Sequence, residues 1–160
     1  MRLEGVTISA DDDGYGWSMS ASGPIHLMEQ LAPAAGLPQR VRITIDGIEW
    51  VFVIEQPERS RKFGERGVQV RGSSVTSLLG APHMPSSIWT GATTMTAQQL
   101  VAQALEFTGV TIDWRLDDWQ VPAGAWSHQG TPLSVALRVA EAAGAVVRSH
   151  RTDAALQFAP

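Results

Sequence analysis

The dipeptide Asp46-Gly47, within RVRITIDGIEWVFVI, constrains the fold more than any other feature of this sequence. Asp-Gly tolerates the positive φ angles of a two-residue type I′ turn, and strand-like runs flank it on both sides. A two-residue turn also fixes which residues lie opposite each other on the predicted core face: Ile45 with Ile48, Ile43 with Trp50, and Val41 with Phe52. The other face becomes apolar only toward Val53, which predicts partial cover by a neighbouring element.

The rest of the first half also favours strands. Apolar residues Leu3, Val6 and Ile8 and a second run over residues 17–20 flank DDDGYG, which predicts an N-terminal hairpin. Val68 and Val70 alternate with polar residues, as expected for a third strand of the hairpin's sheet.

Two short helices are expected among these strands. IHLMEQLA, after Pro24, predicts a helix with Ile25, Met28 and Leu31 on one face. SVTSLLG predicts another, capped by Ser73 or Ser74.

The second half contains a weak internal sequence repeat. TAQQLVAQALEFTGVTIDW begins at Thr96, TPLSVALRVAEAAGAVVRS begins at Thr131, and both predict a helix of about three turns followed by a strand. Caps are expected from Thr96 with Gln99 and from Thr131 with Pro132, and helix ends are expected at Gly109 and Gly144. The predicted apolar faces are Leu100, Val101, Ala104 and Leu105 in the first helix and Leu133, Ala136, Leu137, Ala140 and Ala143 in the second. A duplicated ancestor and ordinary capped helices both account for the match.

These patterns together predict an α+β fold. Residues 1–82 form an antiparallel β-sheet or partial β-barrel with short helices, residues 83–94 are a linker, and residues 95–160 form a smaller α/β domain of two helix-strand units.

Composition excludes several classes of chemistry. With no cysteine among 160 residues, disulfides, thiolate zinc sites and cysteine nucleophiles are excluded. No apolar run approaches the length of a membrane span, and the start does not resemble a signal peptide, so we expect a chain made in the cytoplasm without membrane insertion.

No motif in the sequence predicts catalysis, a cofactor or a metal ion. The four histidines lack metal-ligand spacing, and no GxSxG elbow, GxGxxG turn or phosphate loop occurs. Asp113, Asp117 and Asp118 are close enough in sequence to suggest a glycosidase carboxylate pair, but caps and turns explain them better. We therefore expect a protein that is not an enzyme, although an active site assembled from distant residues stays an alternative.

Five of the twelve cations lie within thirteen residues, at Arg59, Arg61, Lys62, Arg66 and Arg71. This cluster flanks a turn between strand-like runs, and the chain carries a net charge of −4, which argues against nucleic-acid binding. We interpret it as a solvated hairpin or an interface, with Arg59, Arg61, Lys62 and Arg66 as contact candidates.

The tryptophans of the second half lie in or beside irregular segments, above all DWQVPAGAWSHQGTP, residues 118–132. Tryptophan either pins a loop onto a core or lines an interface or a sugar-binding surface. Pinning is the better interpretation for Trp114 and Trp119. Both remain open for Trp89 and Trp126, which are contact candidates.

The succession of IDGIEWVFVIEQPERSRKFGERGVQVRGSS, TAQQLVAQALEFTGVTIDW, DWQVPAGAWSHQGTP and VALRVAEAAGAVVRSH resembles phage tail proteins of the baseplate hub type, from about residue 15 onward. Mu-like tail proteins, the hub of contractile tails and the type VI secretion spike are similar to one another in fold. The resemblance implies a structural part of a virion tail baseplate that forms a ring-type homo-oligomer, such as a trimer, and contacts other tail proteins. Hub proteins are usually longer, so the chain resembles their N-terminal portion and is expected to be a fragment.

A cell-wall or carbohydrate-binding module is the alternative. GTPLSVALRVA is similar to the GDTLxxIA stretch of LysM repeats. The LysM pattern places two helices between its strands, whereas this sequence predicts one.

Overall fold

A computed structural model describes residues 3–10, 14–55, 57–62 and 65–160, and it describes only the backbone of residues 61–62 and 65–66. The chain divides into two units. Unit 1 holds the described residues up to Val75 together with Arg151–Asp153, and unit 2 holds Thr76–His150 and Ala154–Pro160. The predicted α+β fold class is confirmed.

Unit 1 consists mainly of antiparallel strands with one short α-helix. Its elements are β1 (Glu4–Ala10), β2 (Trp17–Pro24), α1 (Leu27–Leu31), β3 (Arg40–Ile45), β4 (Ile48–Ile54), β5 (Glu58–Lys62) and β6 (Glu65–Ser74). The strands form one sheet in the order β1-β2-β6-β4-β3, with β5 also paired to β6, and the sheet curls into a partial barrel.

The predicted Asp-Gly hairpin forms β3 and β4. Asp46 and Gly47 have φ angles of 51° and 79°, and every predicted cross-strand pair is present. The predicted core face is buried at Val41 and Phe52 but not at the turn, where Ile45 and Ile48 are exposed. The turn end therefore projects beyond the core, and that part of the prediction is wrong.

The core of unit 1 lies between this sheet and α1. Val68 and Val70 in β6 are fully buried, as predicted for the third strand, and Val53 is buried on the other face of β4. The predicted face of α1 needs correction: Leu27 and Leu31, one turn apart, are the buried pair. The helix begins only at Leu27, so Ile25 precedes it and is exposed.

The predicted helix after β6 is a 3₁₀ helix, Val75–Leu79. Ser74, expected as one possible cap, belongs to β6 instead. Its hydroxyl accepts a hydrogen bond from the Trp17 amide at 2.6 Å and donates one to the Trp17 carbonyl, so it joins β6 to the start of β2.

Unit 2 combines two α-helices with short strands. Its elements are β7 (Ser87–Thr90), β8 (Met95–Thr96), α2 (Ala97–Ala104), β9 (Thr111–Trp114), β10 (Gln120–Val121), β11 (Ser127–Gly130), α3 (Pro132–Ala142), β12 (Val146–Ser149) and β13 (Ala155–Ala159). Strand β13 pairs with β12 in antiparallel and with β9 in parallel fashion. Helices α2 and α3 pack against each other, and α3 also packs against β11 and β12.

Both predicted helix starts of unit 2 are confirmed. Thr96 and Gln99 form a reciprocal capping box at α2, and Thr131 accepts from the Ser134 amide at α3, with Pro132 at the first helical position.

The helix ends of unit 2 differ from each other. α3 ends as predicted at Gly144, whose amide bonds to the Glu141 carbonyl while the Ala145 amide bonds to the Ala140 carbonyl, a Schellman motif. α2 ends at Ala104, before the predicted stop at Gly109. It is therefore shorter than the three turns expected.

The predicted apolar faces agree with burial for α2 but only partly for α3. Leu137 and Ala143 are exposed, whereas Val135 and Val139 are buried. The buried face of α3 is wide because three elements, α2, β11 and β12, pack against it.

The segment 83–94, predicted as a linker, lies within unit 2 and contains β7, which pairs with β11. The functional division of the chain into domains at 82 and 95 stays a prediction. None of the helices in the described part of the chain has the length and apolar character needed to cross a bilayer.

Candidate functional site

The tryptophan-rich segment 118–132 is ordered by strand pairing on both sides. Its strand β10 pairs with β8, and its strand β11 pairs with β7. The carbonyls of Trp119 and Trp126 accept hydrogen bonds from the Ala97 and Gly91 amides. The segment therefore holds the start of α2 and the end of β7 in fixed positions.

Two tryptophans of unit 2 anchor the chain, as predicted. Trp114 packs on the fully buried Phe158, with ring centroids 4.9 Å apart, and Trp119 packs on Trp114 at 6.2 Å. Through this contact the large apolar area of Trp119 anchors the irregular segment 115–119 to strand β9.

The two tryptophan contact candidates have different surroundings. Trp126 is half-buried, with its ring centroid 6.2 Å from that of His128. Trp89 is half-buried as well, and its indole donates to the Gly130 carbonyl at 2.9 Å. Trp89 also lines a surface groove, so it serves both as an anchor and as a surface residue.

This groove has a volume of about 290 Å³ and lies beside the end of α2. We call it the Phe107 groove. Its apolar lining residues are Met84, Pro85, Trp89, Ala104, Phe107 and Pro132. Among the described residues that line it, Glu106 alone carries a charge.

Two properties of Phe107, its exposure and its backbone conformation, are energetically unfavourable. The residue is 97% exposed, although burial of a phenylalanine side chain is worth about 1.5–3 kcal/mol. Its φ angle is 62°, in the left-handed region, where a bulky residue costs about 1–3 kcal/mol. Neither property contributes to the stability of unit 2.

The backbone at Phe107 follows from the early end of α2. The Thr108 hydroxyl donates to the Leu105 carbonyl at 2.6 Å, and the Thr108 amide bonds to the same carbonyl. These two bonds satisfy the Leu105 carbonyl at the end of the helix and turn the chain. Phe107 is therefore left outside the helix. Sequence reasoning missed Phe107 because positive φ is not expected for phenylalanine.

His128 and Ser134 form a serine–histidine contact of 3.0 Å in unit 2. The Ser134 hydroxyl donates its only proton to the Thr131 carbonyl at 2.7 Å, so it accepts from the His128 Nε2–H. A nucleophilic serine needs the opposite arrangement, in which the histidine accepts the serine proton. This contact therefore fixes β11 to the start of α3.

Two of the aspartates that had suggested a carboxylate pair make structural bonds. Asp118 accepts from the Gln98 amide in the first turn of α2. Asp113 accepts two hydrogen bonds from the Arg115 guanidinium, which lower the pKa of the Asp113 carboxyl, and the Gln157 amide donates a third. No group of three or more His, Asp or Glu side chains with metal-binding geometry occurs within the described residues.

The basic candidates lie on the β5–β6 hairpin of unit 1. Arg59 is exposed, and its Nε donates to the Met28 sulfur at 3.4 Å. The backbones of Arg61, Lys62 and Arg66 belong to this hairpin, with Arg61 opposite Arg66, but their side chains lie outside the described residues.

Comparison with known proteins gives matches in structure only. No protein-family model matches the chain, and no curated protein matches it. The chain is similar to the tail protein of Neisseria meningitidis MC58, with a TM-score of 0.70 and 14% identity, over 98% of this chain and 46% of that one. It is also similar to the 43 kDa tail protein of prophage MuSo2 from Shewanella oneidensis, with a TM-score of 0.58 and 13% identity, over 96% of this chain and 49% of that one.

These two comparisons establish a shared fold. The chain spans about half the length of both tail proteins. The two units together therefore have the fold of about half of each of these two proteins.

Proposed function

We propose that this chain is a structural component of a phage or prophage tail baseplate, a hub-type module that acts through protein–protein contacts. The observation that carries the proposal is the similarity in fold to two tail proteins over nearly the whole chain. The exposed Phe107 and the apolar groove beside it are consistent with a contact role, because surfaces of this kind mark protein interfaces. In this proposal the module performs no chemistry of its own, and its location is the virion tail after synthesis in the bacterial cytoplasm.

The proposed assembly is a ring-type homo-oligomer, such as a trimer, that also contacts other tail proteins. Closed rings form when one surface of a subunit fits a different surface of the next. The basic candidates on the β5–β6 hairpin, of which Arg59 is exposed, are the proposed charged part of such a contact.

The experiment that tests this function is the solution mass, measured by size-exclusion chromatography with light scattering over a wide range of protein concentration. We expect a closed oligomer whose mass falls at high salt, because exposed charge pairs are screened. Arg59→Gln should weaken it, whereas Arg148→Gln, an exposed arginine in β12, should not. A monomer at every protein concentration, at low salt as well as at high salt, would contradict self-assembly of this chain.

The carbohydrate-binding alternative has no specific support in the described residues. Between β11 and β12 lies the single helix α3, whereas the LysM pattern has two helices between its strands. Titration with peptidoglycan fragments, followed by tryptophan fluorescence, distinguishes the two functions: a saturable change would favour sugar binding.

A further inference from the structure

We propose that the Phe107 groove is the docking site for a segment of another tail protein in which a large apolar side chain lies close to a lysine or arginine. This inference rests on the proposed assembly function and specifies the partner's chemistry. The groove is distinct from the basic hairpin of unit 1 and belongs wholly to unit 2.

The apolar half of the proposed partner follows from Phe107 and its surroundings. A phenylalanine that is 97% exposed, at a φ of 62°, is held away from the core of its own unit. Met84, Pro85 and Trp89 line the groove beside it. Aromatic residues and methionine are enriched in the buried centre of protein interfaces. An apolar side chain from the partner would cover these groove residues.

The basic half of the proposed partner follows from the charge at the end of α2. Glu106 lines the groove and has no ion pair within the part of the chain that the structure describes. The last turn of α2 holds no basic residue, so the negative end of the helix dipole adds to the carboxylate. The rim of the groove is therefore negative and complements a cation.

Helix α3, the second helix of unit 2, pairs the equivalent acidic residue within the helix itself. Glu141, at the position in α3 that matches Glu106, pairs with Arg138. The residue that matches Arg138 in α2 is Gln103, and the residue that matches Phe107 in α3 is Ala142. The acid is neutralised within α3, whereas beside α2 it is left for a partner.

A selection from displayed random peptides of about twelve residues tests the proposal without assuming the partner's identity. The unaltered chain is the target, and no variant of it is used to deplete the library, so that the affinity of the enriched peptides for each variant is an independent readout. We expect the enriched peptides to share a large apolar residue and a nearby lysine or arginine. Their affinity should fall about tenfold or more for Phe107→Ser and for Glu106→Lys.

Two matched variants control for general effects. Ile88→Ser removes another highly exposed apolar residue from β7, outside the groove, and Glu141→Gln removes the paired acid of α3; neither should change peptide affinity. The Trp89 indole resonance, assigned with a Trp89→Phe variant, should shift on titration with an enriched peptide. Thermal unfolding of each variant separates lost binding from lost folding.

The proposal is overturned if the enriched peptides lack the apolar–basic pair, or if they bind the folded Phe107→Ser variant as tightly as the unaltered chain. It is also overturned if the Trp89 resonance stays unchanged because the peptide binds at another surface of the chain. The solution mass that tests the hub function does not depend on these peptides. If the chain is oligomeric but the selection yields no such peptides, only the docking proposal is refuted. If the chain is a monomer but the selection succeeds, only the proposed self-assembly is refuted.

Discussion

The two helix–strand units of unit 2, α2 with β9 and α3 with β12, begin alike and end differently. Both helices start at a threonine cap, and both following strands pair with β13. α3 continues to Ala142 and closes on a glycine, whereas α2 stops at Ala104, after which Phe107 lies exposed at positive φ. Helix α3 therefore ends in the usual way for a stable helix. Helix α2 ends early, and the residue left outside it lies at the edge of the Phe107 groove.

Local departures of this kind mark places where a sequence serves something other than folding. The departure involves the charge as well, since Glu141 is paired within α3 and Glu106 has no ion pair among the described residues. Comparison of equivalent positions in the two helix–strand pairs therefore distinguishes residues that stabilise the fold of unit 2 from residues that are available for contact with a partner.

The largest effects are expected where the two units are alike, in their shared core. Leu100 in α2 and Leu133 in α3 are both buried. Leu100→Ala and Leu133→Ala should each lower the free energy of unfolding by about 2–5 kcal/mol, because each leaves a cavity. Denaturant titration measures the loss, and a change below about 1 kcal/mol in one variant alone would show that the helices do not share a core.

Smaller effects are expected from the glycines that follow the two helices. Gly109 and Gly144 have φ angles of 75° and 64°, and in both cases an added Cβ would meet open space. Gly109→Ala and Gly144→Ala should therefore each cost about 1 kcal/mol through backbone strain alone. A gain in stability for either variant, measured in the same titration, would contradict the left-handed conformation.

The smallest effect is expected from the exposed ion pair between Asp113, in β9, and Arg115, which follows that strand directly. The hydrogen bond from Arg115 lowers the pKa of Asp113 below its ordinary value of 3.8. A lowered pKa contributes stability above the unfolded-state value, and this contribution is lost as the pH falls through the folded-state value. The difference in unfolding free energy between the unaltered chain and Asp113→Asn should therefore be small and constant at neutral pH, decline below about pH 3.8, and vanish once the pH lies below the folded-state pKa. A difference that grows in acid would contradict this sign.

Much of the fold could be predicted because local chemistry determines it. The turn at Asp46 and Gly47 fixed the β3–β4 register residue by residue, and the threonines at 96 and 131 fixed both helix starts. Each of these features depends on residues close in sequence, for which preferences are strong.

The candidate site could not be predicted, because it depends on contacts between distant residues. Met84 and Phe107 line one groove only through the packing of unit 2, which no spacing in the sequence indicates. The end of α2 was missed because the Thr108 hydroxyl bonds to a backbone carbonyl in competition with the helix, and Gly109 was the stronger local pattern. The exposed face of α3 was missed for a similar reason, since three packed elements set its width.

The most direct test of this account is the free energy of unfolding of Phe107→Gly, measured beside Ala142→Gly at the equivalent position of α3. Glycine relieves the left-handed strain at Phe107, so the first variant should gain about 1 kcal/mol. Glycine in the last turn of α3 should cost about 0.5–1 kcal/mol, so the two changes should have opposite signs. A loss of stability in Phe107→Gly would show that this phenylalanine supports the fold of its own unit, and it would contradict the account.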